Sequence, residues 1–538
     1  MKKSIKKSWP YLGLALLILL IGASLDGYVT IKIMKIIDAA LDGNMVLFRE
    51  EALKTFLIIG LLFPTNILAS YTKGLFILKS LVKSKIYYIE KLFDKNINEF
   101  QSENNAAYLS AMTNDMNTIE TKYLEGLYEV GNSFIGFFVA FLVIASVSPI
   151  ALFIGIGISI VSAILSMLVG KPLQNHEKHR SDLFQGYTSY IKEVLGAFQI
   201  IKANNLNEKI KEDFYNKSKD IQWKGYVIDK IYTYIVSFQQ MLMYCAHFGI
   251  LFVSVFMAIK GSITTGAVIL IINNMGRVVY PLMNLSEWFP KIFSVKSLFE
   301  KLDESLTNHD NYEETIDLIG FNKSIEFNNV SFSYDTNEVL KDTNLSLLKG
   351  EKYLVVGPSG GGKSTLLRLL RKYFNPTKGE ILIDGKNLKD VKKESYFKNI
   401  SNVEQQVFLF EDTLRNNITL YKDFREEEIN LAIERAGLRD FVNGLQNGLD
   451  TIIYDNGKNI SGGERSRVAI ARGLLSKSEI IFLDEAFASL DATVAREIEN
   501  TLLNLEGITV INVSHVIFEE TKEKYDKVFV VKNKTVFD

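Results

Sequence analysis

Two hydrophobic rhythms divide this chain. Up to about residue 295, long apolar runs recur, among them YLGLALLILLIGASL and IALFIGIGISIVSAILSMLVG. From about residue 320 onward the apolar runs are short and the charge is dense. A membrane-crossing helix needs about 20 mostly apolar residues. Six stretches qualify, at roughly 11–37, 53–72, 130–148, 150–170, 233–259 and 265–286. The second is interrupted by Pro64, Thr65 and Asn66, which a span tolerates where neighbouring helices cover them. The start, MKKSIKKSWP plus an apolar run, imitates a signal peptide. The pattern continues to Ile37, longer than a signal core, and further spans follow.

Charge between the apolar runs predicts orientation. The N-terminal tail carries Lys2, Lys3, Lys6 and Lys7. The segments 73–128 and 171–230 are long, lysine-rich and helical in pattern. The opposite loops are short: 38–52 has Arg49 against four acids, 146–149 has no base, and 260–264 has Lys260. The positive-inside rule therefore places both termini in the cytoplasm, which agrees with an even number of spans. Spans two to five should continue as helices into the cytoplasm, with asparagine-rich breaks near 103–115 and 203–213.

The polar half reads as alternating strands and helices. YLVV, then GPSGGGKST, then LLRLLRKYF make a strand, a glycine loop and a helix over 353–374. The loop fits G-x-x-x-x-G-K-[ST] at Gly357, Gly362, Lys363 and Ser364. Its glycines let backbone N–H groups face a triphosphate, Lys363 reaches the β- and γ-phosphates, and Ser364 holds Mg²⁺. The run IIFLDE, 480–485, reads as a buried parallel strand ending in two carboxylates. Asp484 is placed to hold Mg²⁺ through water, and Glu485 to polarise an attacking water. A third strand, ITVINVSH, ends in His515. A second phosphate-type turn, NISGGERSR, lies about a hundred residues after the first.

Bulk composition excludes several classes. A length of 538 residues suggests three or more compact domains, and a net charge of −1 argues against a nucleic-acid partner. The single cysteine, Cys245, lies in an apolar run, so no intrachain disulfide or cysteine metal site is expected. His176 and His179 stand in an H-x-x-H spacing without an acidic partner and carry no metal expectation.

With these motifs in one order, the chain resembles a bacterial ATP-binding-cassette exporter half-transporter. The resemblance spans nearly the whole sequence. It implies an all-α membrane domain of six helices over 1–300, a linker over 301–323, and an α/β P-loop ATPase domain over 324–538. That domain would carry an antiparallel β-subdomain and an α-helical signature subdomain. Gly357, Pro358, Ser359, Gly360, Gly361, Gly362, Lys363, Ser364 and Thr365 match the Walker-A loop, and 480–484 the Walker-B strand. Glu485 matches the catalytic glutamate, and Gln405 in VEQQVFLF the glutamine that touches Mg²⁺. Tyr334 matches the aromatic that stacks on adenine, and His515 the switch histidine. Ser461, Gly462 and Gly463 match the signature, and Ser489, Leu490 and Asp491 the D-loop. Asp455 stands where the exporter loop usually has glutamate. AAYLSAMTND and IIKANNLNEK resemble the coupling-helix regions.

The signature departs from the family at Ile460 and Glu464, where Leu and Gln are commoner; the carboxylate should slightly weaken γ-phosphate affinity. No peptidase domain precedes the first span and no helical tail follows the last strand pair, which speaks against leader cutting and tail regulation.

The resemblance further implies export of a peptide, drug-like or lipid-like substrate with ATP and Mg²⁺, by alternating access. A lipid flippase or an ATP-gated channel of the same architecture is the alternative. Intact motifs favour a homodimer over a heterodimer with a second half-transporter, each signature turn completing its partner's site. For the cargo, Asn273, Arg277, Tyr280 and Asn284 recur at i, i+4, i+7 and i+11 and share one helix face. Arg277 falls roughly 18 Å into its span. A charge there faces the bundle interior. That face either lines the pathway or braces the bundle through an acid, for which Asp26 is the candidate. A polar, partly basic lining suits a peptide or an amphipathic anion.

Overall fold

The computed structural model describes residues 1–102, 105–153, 156–157, 176, 179–180, 183–184, 186–308, 312–515 and 517–538. The chain falls into two compact units: Met1–Lys95 with Glu103–Thr307, and Asn96–Ser102 with Asn308–Asp538.

The first unit is helical. Trp9–Leu41 begins with Pro10 in its first turn, where a missing N–H costs nothing. Met45–Phe93 is capped by the Asn44 side chain, which accepts from the Leu47 N–H at 3.1 Å. It runs unbroken through Pro64, and the Thr65 hydroxyl bonds back to the carbonyls of Leu61 and Leu62. Glu125–Ala145 is entered through two π-helical turns, Ala111–Asp115 and Ile119–Leu124. Asn207–Ile259 has 53 residues and Thr265–Glu304 has 40. A 53-residue helix is about 80 Å long, far more than the roughly 30 Å of a bilayer core. Such helices project beyond any membrane they cross.

Among the described residues, three helices are long and apolar enough to span: Trp9–Leu41, Met45–Phe93 and Ala107–Ala145. Met243–Ile259 is a shorter apolar stretch. The expected span at 150–170 lies almost wholly outside the described residues. The expected break at 203–213 occurs at its start, where Asn205 takes a left-handed φ of 54°. A further break precedes the other expected one: Met45–Phe93 ends at the C-cap Asp94 and a new helix begins at Ile97. The expected break near 103–115 falls partly outside the described residues, between helices that end at Ser102 and begin at Asn105.

Small residues let the helices approach. A Cβ on Gly27 would stand 2.9 Å from Val139, and one on Gly266 only 2.4 Å from the Met34 carbonyl oxygen. The Gly266 N–H donates to Asp38 at 2.8 Å. Lys32 and Glu51 form a buried ion pair at 2.7 Å, which the sequence reading did not anticipate.

The second unit holds two sheets. β1 (Ser324–Tyr334), β2 (Asn337–Leu348), β4 (Lys378–Ile383) and β5 (Lys386–Asn387) form an antiparallel sheet ordered β2-β1-β4-β5. The other sheet runs β10-β9-β3-β8-β7-β6. Its strands are β3 (Lys352–Val356), β6 (Ile400–Val403), β7 (Ile480–Asp484), β8 (Thr509–Val513), β9 (Lys527–Lys532) and β10 (Thr535–Phe537). All its pairings are parallel except β9 with β10. Parallel strands buried on both faces need continuous apolar sequence, and IIFL and TVINV supply it. A separate apolar cluster, including Leu414, Ile418, Ile429 and Val468, forms the core of the helical part around Gly462–Leu475.

Candidate functional site

The order β3-β8-β7 brings three motif-bearing strand ends side by side. β3 leads into the glycine loop and then the helix Lys363–Leu370. Gly357, Gly360 and Gly362 have φ of 149°, 75° and 108°, values that favour glycine. A Cβ at Gly357 would meet the Val531 carbonyl oxygen at 2.2 Å. The Gly361 N–H closes the turn on the Pro358 carbonyl at 3.1 Å. Pro358, Ser359 and Gly360 are exposed, as is Ser364, while Lys363 and Thr365 are buried. Lys363 Nζ donates to the carbonyls of Gly357 (2.9 Å) and Pro358 (3.0 Å). Burial pushes its ammonium below the usual lysine range, against the pull of Glu485 and Asp484. This is a cradle that only glycines permit, with a helix N-terminus and a lysine behind it, and it fits an anion.

At the end of β7, Glu485 takes a left-handed φ of 49°. Such strain costs about 1–3 kcal/mol and is commonly retained where it aims a side chain. Its own N–H is held by the Val513 carbonyl at 2.9 Å. Both carboxylate oxygens are engaged. Gln405 Nε2 donates to Oε2 at 2.7 Å, and His515 Nε2 lies 3.1 Å from Oε1. Residues from two other segments thus converge on this carboxylate. Beside it, burial raises the Asp484 carboxyl above the usual range, opposed by Arg371. Ser364, Gln405 and Asp484 offer hard oxygen donors and few charges. Mg²⁺ prefers that set when phosphates supply the remaining ligands.

Arg371 and Glu404 were missed by the sequence reading. Arg371 is 1% exposed. Its Nη1 lies 2.9 Å from Glu404 and 3.8 Å from Asp484, and its guanidinium is 5.9 Å from the Phe482 ring centroid. One signal was available: Arg371 falls four residues after the core residue Leu367, on the buried side of the helix.

Tyr334 is half-buried, edge-on to Phe332 and Phe374, and its hydroxyl accepts from Arg368 at 3.1 Å. That fixes an aromatic platform at the end of β1. In the signature turn, Ser461 caps the helix Gly462–Leu475 in a reciprocal box with Glu464. Gly463 lies close to the Ser489 backbone: a Cβ there would be 3.3 Å from its carbonyl oxygen. Ser489 Oγ is 2.7 Å from Ser466 Oγ, and Asp491 caps the helix Ala492–Leu503 through Thr493. Asp455 has a left-handed φ of 47° and pairs with Lys458.

In the helical unit, Arg277, Tyr280 and Asn284 line one cavity of about 420 Å³, together with Asp26, Asn66 and Ser133. Asn273 is exposed and stands outside this lining, because the wall begins one helical turn later, at Arg277. Arg277 Nη2 pairs with Asp26 Oδ2. The expected ion pair and the expected lining thus lie on one cavity wall.

Two family models match the chain: the ABC transporter transmembrane region over residues 12–282, and ABC transporter over 340–488. An uncharacterized ABC transporter ATP-binding protein of Bacillus subtilis (strain 168) is 28% identical, covering 81% of this chain and 72% of that one. An ATP-dependent lipid A-core flippase of Escherichia coli (strain K12) is 28% identical, covering 82% and 76%. The corresponding flippase of Desulfotalea psychrophila is 38% identical, covering 53% and 50%. The chain thus spans from half to about three quarters of the relatives it matches. The solved structure of a bacterial Atm1-family ABC exporter with ATP bound superposes with a TM-score of 0.82 at 20% identity, covering 98% of this chain and 94% of that one. That likeness establishes the fold.

Proposed function

Because the chain belongs to the ABC transporter family, with a transmembrane region and an ATP-binding domain on one polypeptide, we propose that it is an ATP-driven exporter half-transporter. It moves a substrate from the cytoplasm or inner leaflet across the plasma membrane by alternating access. Both termini and the ATPase domain face the cytoplasm. The observation that carries this reading is the convergence of Gln405 and His515 on Glu485, beside Asp484 and the Lys363 loop.

In this reading Glu485 accepts a proton from the attacking water, while Gln405 and His515 hold its two oxygens in place. Lys363 and the loop N–H groups of Gly357–Thr365 stabilise charge on the β- and γ-phosphates, and Tyr334 stacks on adenine. Mg²⁺, held by Ser364, Gln405 and Asp484, would supply charge neutralisation on the phosphates. Ser461, Gly462, Gly463 and Asp491 contribute to the site of a second copy. The chain therefore works as a homodimer, and a monomer binds ATP but barely hydrolyses it. Arg277, Tyr280 and Asn284 belong to the substrate pathway, while Asn273 lies one turn outside the cavity lining.

The relatives that are lipid A-core flippases favour lipid flipping as a second reading. ATPase activity of the purified chain in nanodiscs, against peptides, drugs and lipids, separates the two. We expect activity from this chain alone, rising with dimer formation. A chain inactive until a second half-transporter is added would overturn the homodimer.

A further inference from the structure

The membrane unit contains two ion pairs with different surroundings. Lys32–Glu51 is closed: each side chain is 9% exposed. Asp26–Arg277 is open: the side chains are 31% and 41% exposed and both face the 420 Å³ cavity. A closed pair braces helices. An open pair on a cavity wall can exchange partners.

Asp26 and Arg277 are also the only charged side chains in that lining among the described residues. The wall is balanced, not basic, which departs from the expected preference for an amphipathic anion. An anion that took Arg277 would leave Asp26 without a countercharge at membrane depth, and a cation that took Asp26 would strand Arg277. Uncompensated charges there are costly. A molecule bearing both charges satisfies both residues.

We propose that the Asp26–Arg277 pair is the recognition element for a zwitterion, a ligand that carries an ammonium group and a carboxylate or phosphate in one molecule. The anion docks on Arg277 and the ammonium on Asp26, while Asn66, Asn284, Ser133 and Tyr280 provide neutral hydrogen bonds. The inference rests on reading this cavity as part of the transport pathway. Its volume is within the range of small-ligand sites. It suits a short peptide with free termini or the headgroup of an aminophospholipid.

The test uses the full chain in phosphatidylglycerol nanodiscs, with ATPase stimulation and thermal shift as readouts. The probes are an apolar tripeptide with free termini, its N-acetylated form and its C-amidated form; phosphatidylethanolamine forms a separate arm. The free tripeptide should act at a concentration at least about tenfold lower than either singly charged form. Asp26→Asn should move the preference to the acetylated anion, and Arg277→Gln to the amidated cation. If either single variant fails to fold, the charge-balanced double variant serves instead and should show no preference. A response to phosphatidylethanolamine alone would assign the zwitterion to the lipid headgroup. Equal stimulation by all three peptides, unchanged ranking in the variants, or no response to any zwitterion would overturn the proposal.

Asn284→Cys in a Cys245→Ser background keeps the two readings apart. Attachment of a bulky thiol reagent should abolish stimulation by every cargo. If stimulation survives, the pathway reading fails. If it is abolished while the peptides rank equally, only the zwitterion inference fails.

Discussion

Arg371 and Arg277 both pair with a carboxylate, and what surrounds each pair differs. Arg371, in the ATPase unit, is buried between the helix after the glycine loop and the β7 strand. Its Nε and Nη2 have no protein hydrogen-bond partner among the described residues. It depends on Glu404, on Asp484 and on the Phe482 ring. Arg277, in the helical unit, faces a cavity whose lining also holds six amide or hydroxyl side chains. A cation that cannot reach solvent fixes the groups around it, because moving any of them strands a charge. A cation that borders a polar cavity is free to trade. On the proposed reading the same residue type acts as a brace in one unit and as a receptor in the other.

The largest expected effect lies at the carboxylate next to the brace. Glu485→Gln should lower ATPase activity by roughly 10²–10⁴-fold, the usual worth of a positioned base. ATP binding should survive, since the loop and Lys363 are untouched. Steady-state hydrolysis and equilibrium nucleotide binding check the two halves, and hydrolysis at the wild-type rate would remove Glu485 as the base. The comparison of the arginines is tested next. Glu404→Gln leaves Arg371 buried without its closest anion and should cost about 1–3 kcal/mol. That is less than the 3–5 typical of a sealed pair, because the Glu404 side chain is itself 44% exposed. Asp26→Asn leaves Arg277 without its countercharge, a cost that the 31% and 41% exposure of the pair should hold below that of Glu404→Gln. Thermal unfolding of the full chain in nanodiscs measures both. If Asp26→Asn proves the more damaging, the Arg277 pair is the brace and the exchange reading falls.

Legibility in the sequence followed the number of constraints per residue. The glycine loop was readable because each position is forced: Gly357 by the Val531 carbonyl, Gly362 by its left-handed backbone, and Lys363 by its place at the start of the helix. The IIFLDE strand was readable because a strand buried on both faces has few alternatives. Asp26 could be named as a partner because acids within apolar runs are rare. Lys32 escaped notice because its partner, Glu51, sits where an outer loop was expected and becomes buried only once two helices pack. Arg371 escaped because Arg368, three residues before it in the helix that Arg371 caps, is the same residue type. One is exposed and the other buried, and only the sheet beneath decides which. The additional break after Phe93 escaped because Asp94 is one polar residue in a lysine-rich helical pattern that continues on both sides.

The smallest effect concerns the signature turn, where both kinds of charge handling meet. Glu464 accepts from the Ser461 N–H at 2.6 Å, and Ser461 Oγ accepts from the Glu464 N–H at 3.3 Å. The amide oxygen of glutamine can accept the same bond, so Glu464→Gln should change stability by no more than about 0.5 kcal/mol. The substitution does remove a negative charge beside a helix N-terminus proposed to meet a γ-phosphate. The KM for ATP should therefore fall by up to about fivefold, equivalent to about 1 kcal/mol or less, with kcat unchanged. Because the residue is at the surface, the gain should shrink as salt shortens the Debye length to about 3 Å at 1 M. Glu464→Ala separates the two roles: it also removes the charge but takes half of the capping box with it, and should cost about 1 kcal/mol of stability. Equal KM values for wild type and Glu464→Gln at low salt would mean that the carboxylate is committed to the cap and invisible to the nucleotide.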